Sequence, residues 1–229
     1  MGLWSGIRDS KQDIEEEVLG IYRVRNAVWF FNHQGDPKAP HVELTTGLCR
    51  DGYVDSGKVT CDPKIAEYLA RMLAVCVRQH PSVPSNIQWV VSSAYAAITF
   101  GYELARQLGA QHAFTEKDPI VPRRMTWSGR FTIPTYATAL QGEELITTFY
   151  TVSTVREAVR AGNEYPVAFL PFVATVFHRP PSPPDPTDPS VIALVTKVIQ
   201  TWQRTDCPLC QQGSPRYRPR SHWRELTGK

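Results

Sequence analysis

Between Ile87 and Glu116 the chain reads strand, loop, helix, strand, and that order admits few folds. Ile87–Val91 is a short, β-rich apolar run of the kind buried on both faces of a sheet. SSAYAA then turns into a helix carrying Tyr102, Leu104, Ala105 and Leu108, ended by Gly109, and His112–Glu116 is the next strand. A unit of about 30 residues in this order is a βαβ crossover between parallel strands. The pattern recurs downstream. Glu144–Tyr150 reads as a strand, Thr151–Thr154 as a loop whose hydroxyls can cap, Val155–Arg160 as a helix ended by Gly162, and Val167–Phe177 as a long apolar strand. Two such units imply an α/β domain, an open and mostly parallel sheet flanked by helices. In sheets of this kind ligands sit outside the carboxyl ends of the strands. Ligand chemistry is therefore expected among Ser92–Ala97, Glu116–Arg124 and Thr147–Thr154.

The flanks are less regular. Ile14, Val18, Ile21 and Val28 fall at helical spacing behind the acidic turn Glu15–Glu17, so residues 1–40 are expected to form an appended helix and a loop punctuated by Gly35, Pro37 and Pro40. His41–Leu48 reads as extended. Asp62 is placed to cap, and Pro63 to open, a helix whose apolar face holds Ile65, Leu69, Met72, Leu73 and Cys76. Arg123–Leu140 is rich in Thr, Tyr, Phe and turn residues and is expected as antiparallel strands or a mobile flap, part of a small hood over the sheet. Pro180–Pro189 holds six prolines in ten residues, an extended solvated connection. Ile192–Trp202 reads as the last strand. The expected division is an N-terminal helix and loop (1–40), an α/β domain (41–205) and a basic, aromatic tail (206–229).

Several classes of function are excluded. A chain of 229 residues suits one domain, and a net charge of +3 over that length does not argue for nucleic acid. Cations and aromatics interleave in Arg216–Arg224 (Tyr217, Trp223), which fits a clamp on a partner subunit better than nucleic acid. Pro166–Phe177, the longest apolar run, is too short to span a bilayer, and MGLWSGIRDS has no apolar leader. Five cysteines in an unsecreted chain are expected as reduced thiols in the cytoplasm. Cys207 and Cys210 look like half a zinc site, but no second C-x-x-C or His pair stands at suitable spacing, so no metal is expected.

Four segments together resemble the orotate phosphoribosyltransferases, a branch of the type I phosphoribosyltransferase family. HVELTTGLCRDGYVDSGKV is similar to that family's substrate loop, and VVSSAYAAITFGYELARQLGAQHAFTEKD to its diphosphate loop, helix and charged strand end. STVREAVRAG is similar to the helix after its phosphate loop, and TWQRTDCPLCQQGS to the C-terminal end of one bacterial branch. The resemblance implies transfer of ribose 5-phosphate from phosphoribosyl diphosphate (PRPP) to a base, with Mg²⁺ if PRPP binds. It implies a homodimer by analogy, a heterologous protein partner being the alternative. Tyr95, with Ser92 and Ser93, falls on the diphosphate loop, as do Lys117, Arg123 and Arg124 on the cations facing it. Thr45, Thr46, Gly47 and Arg179 fall on the base side. Without the resemblance, Lys117, Arg123, Arg124 and Arg179 read as solvated charges, Thr45–Gly47 as a plain turn, and Tyr95 equally as core.

The phosphate segment departs from the family's E-D-V-V-T-T-G-G-S-V-R-E. Matched through Val155, Arg156 and Glu157, it spans Ile146, Thr147, Thr148, Phe149, Tyr150, Thr151, Val152, Ser153 and Thr154. The two ribose-binding acids become Ile146 and Thr147, and the glycines become Val152 and Ser153, residues that resist positive φ or close backbone approach. Ser92, Ala96 and Ala97 stand where the family has glycines in the diphosphate loop. Glu143 and Glu144 fall at the wrong end of the expected strand. The expectation is a protein of this family with lost or altered transfer, binding a nucleotide, an anion or a partner. The alternatives are an active orotate or other-base phosphoribosyltransferase of pyrimidine synthesis, and a structural subunit of a complex.

Overall fold

The computed structural model describes residues 11–32, 36, 38–180 and 190–228. The expectations for the leader segment 1–10, for Gly35 and Pro37, and for the proline segment 181–189 lie outside them. In chain order the elements are α1 (Lys11–Val24), β1 (Val28–Phe30), β2 (His41–Glu43), β3 (Cys49–Arg50), β4 (Gly52–Val54), α2 (Gly57–Thr60) and α3 (Pro63–Gln79). Then come β5 (Trp89–Ser92), α4 (Ala96–Leu108), β6 (Gln111–Phe114), β7 (Glu116–Lys117), β8 (Met125–Thr126), β9 (Thr138–Ile146) and α5 (Tyr150–Gly162). Last are β10 (Ala168–His178), β11 (Ser190–Thr196), β12 (Thr201–Trp202), α6 (Pro208–Gln211), β13 (Arg216–Tyr217) and α7 (Trp223–Thr227).

The principal sheet has five parallel strands in the order β11-β10-β9-β5-β6, the expected α/β architecture. Its strands are buried on both sides. In β5, Val90 joins the core under α1, α3 and α4, while Trp89 and Val91 join a second core with Val155 and Val159 of α5. Local signals explain the helices. Asp62 accepts from the Lys64 N–H at 3.0 Å and Pro63 occupies the first turn of α3, and Gly109 ends α4 in the left-handed region at φ 73°.

Four expectations are corrected. α1 stops at Val24, because Asn26 turns the chain at φ 52°, and Val28 belongs to β1. α1 is also no appendage: Val18, Leu19 and Tyr22 lie in the main core. The strand expected over Glu144–Tyr150 runs instead from Thr138 to Ile146. Its Gly142 looks like a turn residue, but a Cβ there would stand 3.0 Å from Leu104 Cδ2 and 3.1 Å from Val90 Cγ1. Close approach of α4 over the central strand, not a turn, requires that glycine. Lastly, Ile192–Trp202 divides between β11 of the main sheet and β12 of a second one.

That second sheet, β12-β3-β2-β13, is the hood of this chain; it is built from residues 41–50, 201–202 and 216–217 and not from the Arg123–Leu140 segment expected to form one. β2 and β3 make an antiparallel hairpin, and β13 from the tail pairs parallel to β2, with Arg216 opposite His41. Beside it His41, Cys49, Cys207 and Cys210 come together, so the C-x-x-C pair is not isolated as its sequence neighbourhood suggested. β7 and β8 form a separate two-stranded antiparallel ribbon, of which β8 falls in the expected flap and β7 precedes it.

Candidate active site

A cleft of about 520 Å³ opens at the carboxyl ends of β5 and β9. The three expected segments converge there. Ser93, Ala94, Tyr95 and Ala96 come from the turn into α4, Lys117, Arg123 and Arg124 from the ribbon, and Thr147, Thr148, Tyr150 and Thr151 from the turn into α5. α5 starts at Tyr150 with no side chain capping it, so its first N–H groups and the positive end of its dipole face the cleft, an arrangement that favours an anion. Lys117 Nζ lies 4.9 Å from the Tyr95 ring centroid, and the Arg123 guanidinium 4.3 Å from that of Tyr150. Arg124 is held at 2.5 Å by Asp118, whose other oxygen accepts the Ile120 and Val121 N–H groups at 2.8 Å. That carboxylate turns the ribbon loop and sets the cation's place.

The acids are where the sequence reading did not put them. Because β9 begins at Thr138, Glu143 and Glu144 stand near its carboxyl end, and both line the cleft with Thr147 and Thr148. Ile146 is buried at the end of β9, and Thr147 lines the cleft beside the two acids. Aligning E-D-V-V-T-T on Glu143-Glu144-Leu145-Ile146-Thr147-Thr148, with three extra residues before Val155, was the signal that would have found them. Under this register Phe149 and Tyr150 follow the threonines where the family pattern has glycines. Val152, Ser153 and Thr154 lie inside α5: Val152 is buried, the Ser153 N–H donates to Phe149 O, and Thr154 Oγ1 donates to Thr151 O.

Glu143 ends a buried polar chain. Ser93 Oγ donates to one of its oxygens at 2.6 Å and Gln141 Nε2 to the other at 3.0 Å. Gln141 Oε1 in turn accepts from Arg156 Nε at 3.1 Å. Burial, then the neighbouring Glu144 charge, pushes the Glu143 carboxyl up to about 8, and burial raises Glu144 too. An unfolded Glu titrates near 4.3, so the folded chain keeps a proton that the unfolded chain has released. That contribution to stability is present below the unfolded value and is lost as pH rises through about 8. Glu143→Gln, which cannot ionise, is expected to be the more stable protein above about pH 8, on the order of 4 kcal/mol relative to its effect near pH 5. Thermal melts of both proteins across that range check this; parallel pH profiles would sink it.

The remaining expected residues lie outside the cleft lining. Ser92 is buried, with Oγ 2.9 Å from His112 Nε2 and α4 packed against it. Thr45, Thr46 and Gly47 form the β2–β3 turn, closed by Gly47 N–H to Leu44 O at 2.9 Å. Arg179 follows β10, donates its backbone N–H to Ile146 O, and lies near Arg50 and Asp51, where burial pulls its guanidinium down to about 10.

A floor of two carboxylates, a bare helix start and a wall of cations suit one ligand bearing both hydroxyls and phosphates. The chain is similar to an orotate phosphoribosyltransferase of Wolinella succinogenes, 33% identical over 189 residues that cover 79% of this chain and 89% of the relative. It is similar to an orotate phosphoribosyltransferase of Heliobacterium modesticaldum, 29% identical over 90% of this chain and 98% of the relative. Its fold is similar to the crystal structure of orotate phosphoribosyltransferase from Aeropyrum pernix, with a TM-score of 0.55, 14% identity, and coverage of 78% of this chain and 93% of that one. No protein-family model matches. Among the described residues no helix is long and apolar enough to cross a membrane.

Proposed function

The chain belongs to the orotate phosphoribosyltransferase family, and on that premise we propose that its cleft takes PRPP and an orotate-type base and transfers ribose 5-phosphate from diphosphate to base. The observation that carries this reading is the pair Glu143–Glu144 at the end of β9, beside Thr147–Thr148 and the uncapped start of α5. Glu144 accepts from the ribose hydroxyls, and Glu143 shapes that floor from behind. The Thr147–Thr151 turn and the first N–H groups of α5 take the 5-phosphate. Lys117 and Arg123 face the diphosphate and stabilise its charge as the bond to the ribose breaks. Thr45–Gly47 and Arg179 are assigned the base side. The cleft's hard donors are carboxylate and hydroxyl oxygens, which fit Mg²⁺ arriving with a diphosphate; bound there, it supplies further charge neutralisation. A homodimer belongs to the same reading, and light scattering tests it.

A second reading has its own support. Phe149 and Tyr150 put two aromatic side chains where the family pattern has glycines, and both Glu143 oxygens already have partners. These favour a nucleotide- or anion-binding protein, or an assembly subunit, whose transfer is lost or altered. Two measurements separate the readings: PRPP- and Mg²⁺-dependent consumption of orotate, and calorimetry with PRPP. Turnover supports the first reading. Binding without turnover for orotate or other bases supports the second, and absence of PRPP binding at millimolar ligand removes the transferase reading.

A further inference from the structure

We propose that His41, Cys49, Cys207 and Cys210 bind a structural Zn²⁺ ion that joins the tail to the hood. Their four ligand atoms lie within 4.8 Å of one another. Cys49 Sγ is 3.6 Å from Cys210 Sγ, and His41 Nε2 is 3.6 Å from Cys207 Sγ and 3.4 Å from Cys210 Sγ. A tetrahedral zinc with Zn–S near 2.3 Å and Zn–N of about 2.0–2.1 Å has edges of about 3.8 Å between sulfurs and about 3.5 Å between sulfur and nitrogen. Three of the six ligand–ligand distances are already close to those edge lengths, and all six are within 4.8 Å.

The imidazole is set in the ligating tautomer by a second contact. Ser214 Oγ donates its hydrogen to Ala39 O at 2.5 Å, so it can only accept from His41 Nδ1, 2.7 Å away. Nδ1 therefore carries the ring proton, and Nε2 turns a bare lone pair toward the three sulfurs. Such an outer partner is what orients a metal-bound histidine. Local backbone supports the pair from the tail. Cys207 precedes α6 and Cys210 lies within it, and Gly213, at φ 81°, turns the chain back so that Ser214 meets His41. His41, Cys49 and Cys207 are fully buried. Three thiol sulfurs and one imidazole with no open position match a closed structural site, and tetrahedral S₃N ligation selects zinc. On binding, the thiols release their protons to solvent and the ion takes thiolates.

The test uses the full chain, purified anaerobically without chelator or added metal. Elemental analysis is expected to find about one zinc per chain. Cys49→Ser and Cys210→Ser are expected to lose it, while Cys61→Ser and Cys76→Ser, outside the cluster, keep it. Because a ligand variant can lose its fold together with its metal, the deciding measurement is on the unmutated sequence. After removal of zinc, Co²⁺ is expected to give the thiolate charge-transfer and d–d bands of tetrahedral sulfur-rich cobalt. A chain that carries no zinc and gives no such bands overturns the proposal. So does a Cys49–Cys210 disulfide with no metal in the anaerobic protein, or zinc that remains in both ligand variants.

Discussion

Glu144→Ala is expected to lower kcat/KM for PRPP by at least about 100-fold and to weaken PRPP binding in calorimetry, with little change in melting temperature. Holding the ribose by its hydroxyls positions the reacting carbon, and loss of such positioning costs about two orders of magnitude or more. Glu144 is the accessible member of the pair, half-buried at the cleft floor, whereas Glu143 is buried and already bonded by Ser93 and Gln141. The two substitutions should therefore behave differently. Glu143→Gln keeps the volume of the buried chain and should cost less in binding than Glu144→Ala. A Glu144→Ala protein that binds PRPP within a factor of about three of the wild type, with a normal melt, would remove the carboxylate pair from the account.

Arg156→Ala is expected to have the largest effect on stability, about 2–4 kcal/mol, or roughly 5–15 °C in melting temperature for a chain of this size. One Arg156 nitrogen donates to Leu170 O at 3.1 Å and Phe172 O at 3.0 Å, where the pairing of β10 with β9 slips between Phe169 and Val173. Leu170 and Phe172 have no partner in the ladder with β9, and the guanidinium bonds their carbonyls while Nε holds Gln141. Burial pulls the group down to about 10, so it is still charged at neutral pH. Truncation orphans three buried acceptors at once. It also frees Gln141, the only side chain linking Arg156 to Glu143 among the described residues, so PRPP affinity should fall together with the melt. Thermal denaturation checks the first effect and calorimetry the second; a melt lowered by less than about 2 °C would show that water or another side chain serves these carbonyls.

The parts of the fold legible in the sequence are those set by short-range chemistry. Asp62 and Pro63 mark the start of α3, and Gly109 marks the end of α4, because caps act within a turn of the residues that make them. The run Val90–Val91 gave a strand buried on both sides. Gln141 and Gly142, in the middle of β9, were not legible as strand for the opposite reason. A buried amide and a glycine in a central strand look like a loop unless Arg156, Leu104 and Val90, which come from elsewhere in the chain, are known to meet them. The expected strand therefore began six residues late, at Glu144 rather than Thr138, which took Glu143 and Glu144 out of the site. Cys49 and His41 were hidden from Cys207 and Cys210 in the same way, by more than 150 residues of chain. The three segments around the cleft were legible because topology alone places strand ends together.

The parallel pairing of β13 with β2 has a consequence for synthesis. Residues 41–50 leave the ribosome before any strand of the five-stranded sheet, but their outer edges stay unmatched until residues 201–202 and 216–217 emerge. Throughout translation of the five-stranded sheet, a nascent chain carries this hairpin with raw hydrogen-bonding edges and one cysteine, Cys49, whose companions Cys207 and Cys210 are still to be made. The elements that complete the hood follow the whole five-stranded sheet, and a product stalled before them is left with a sticky flank.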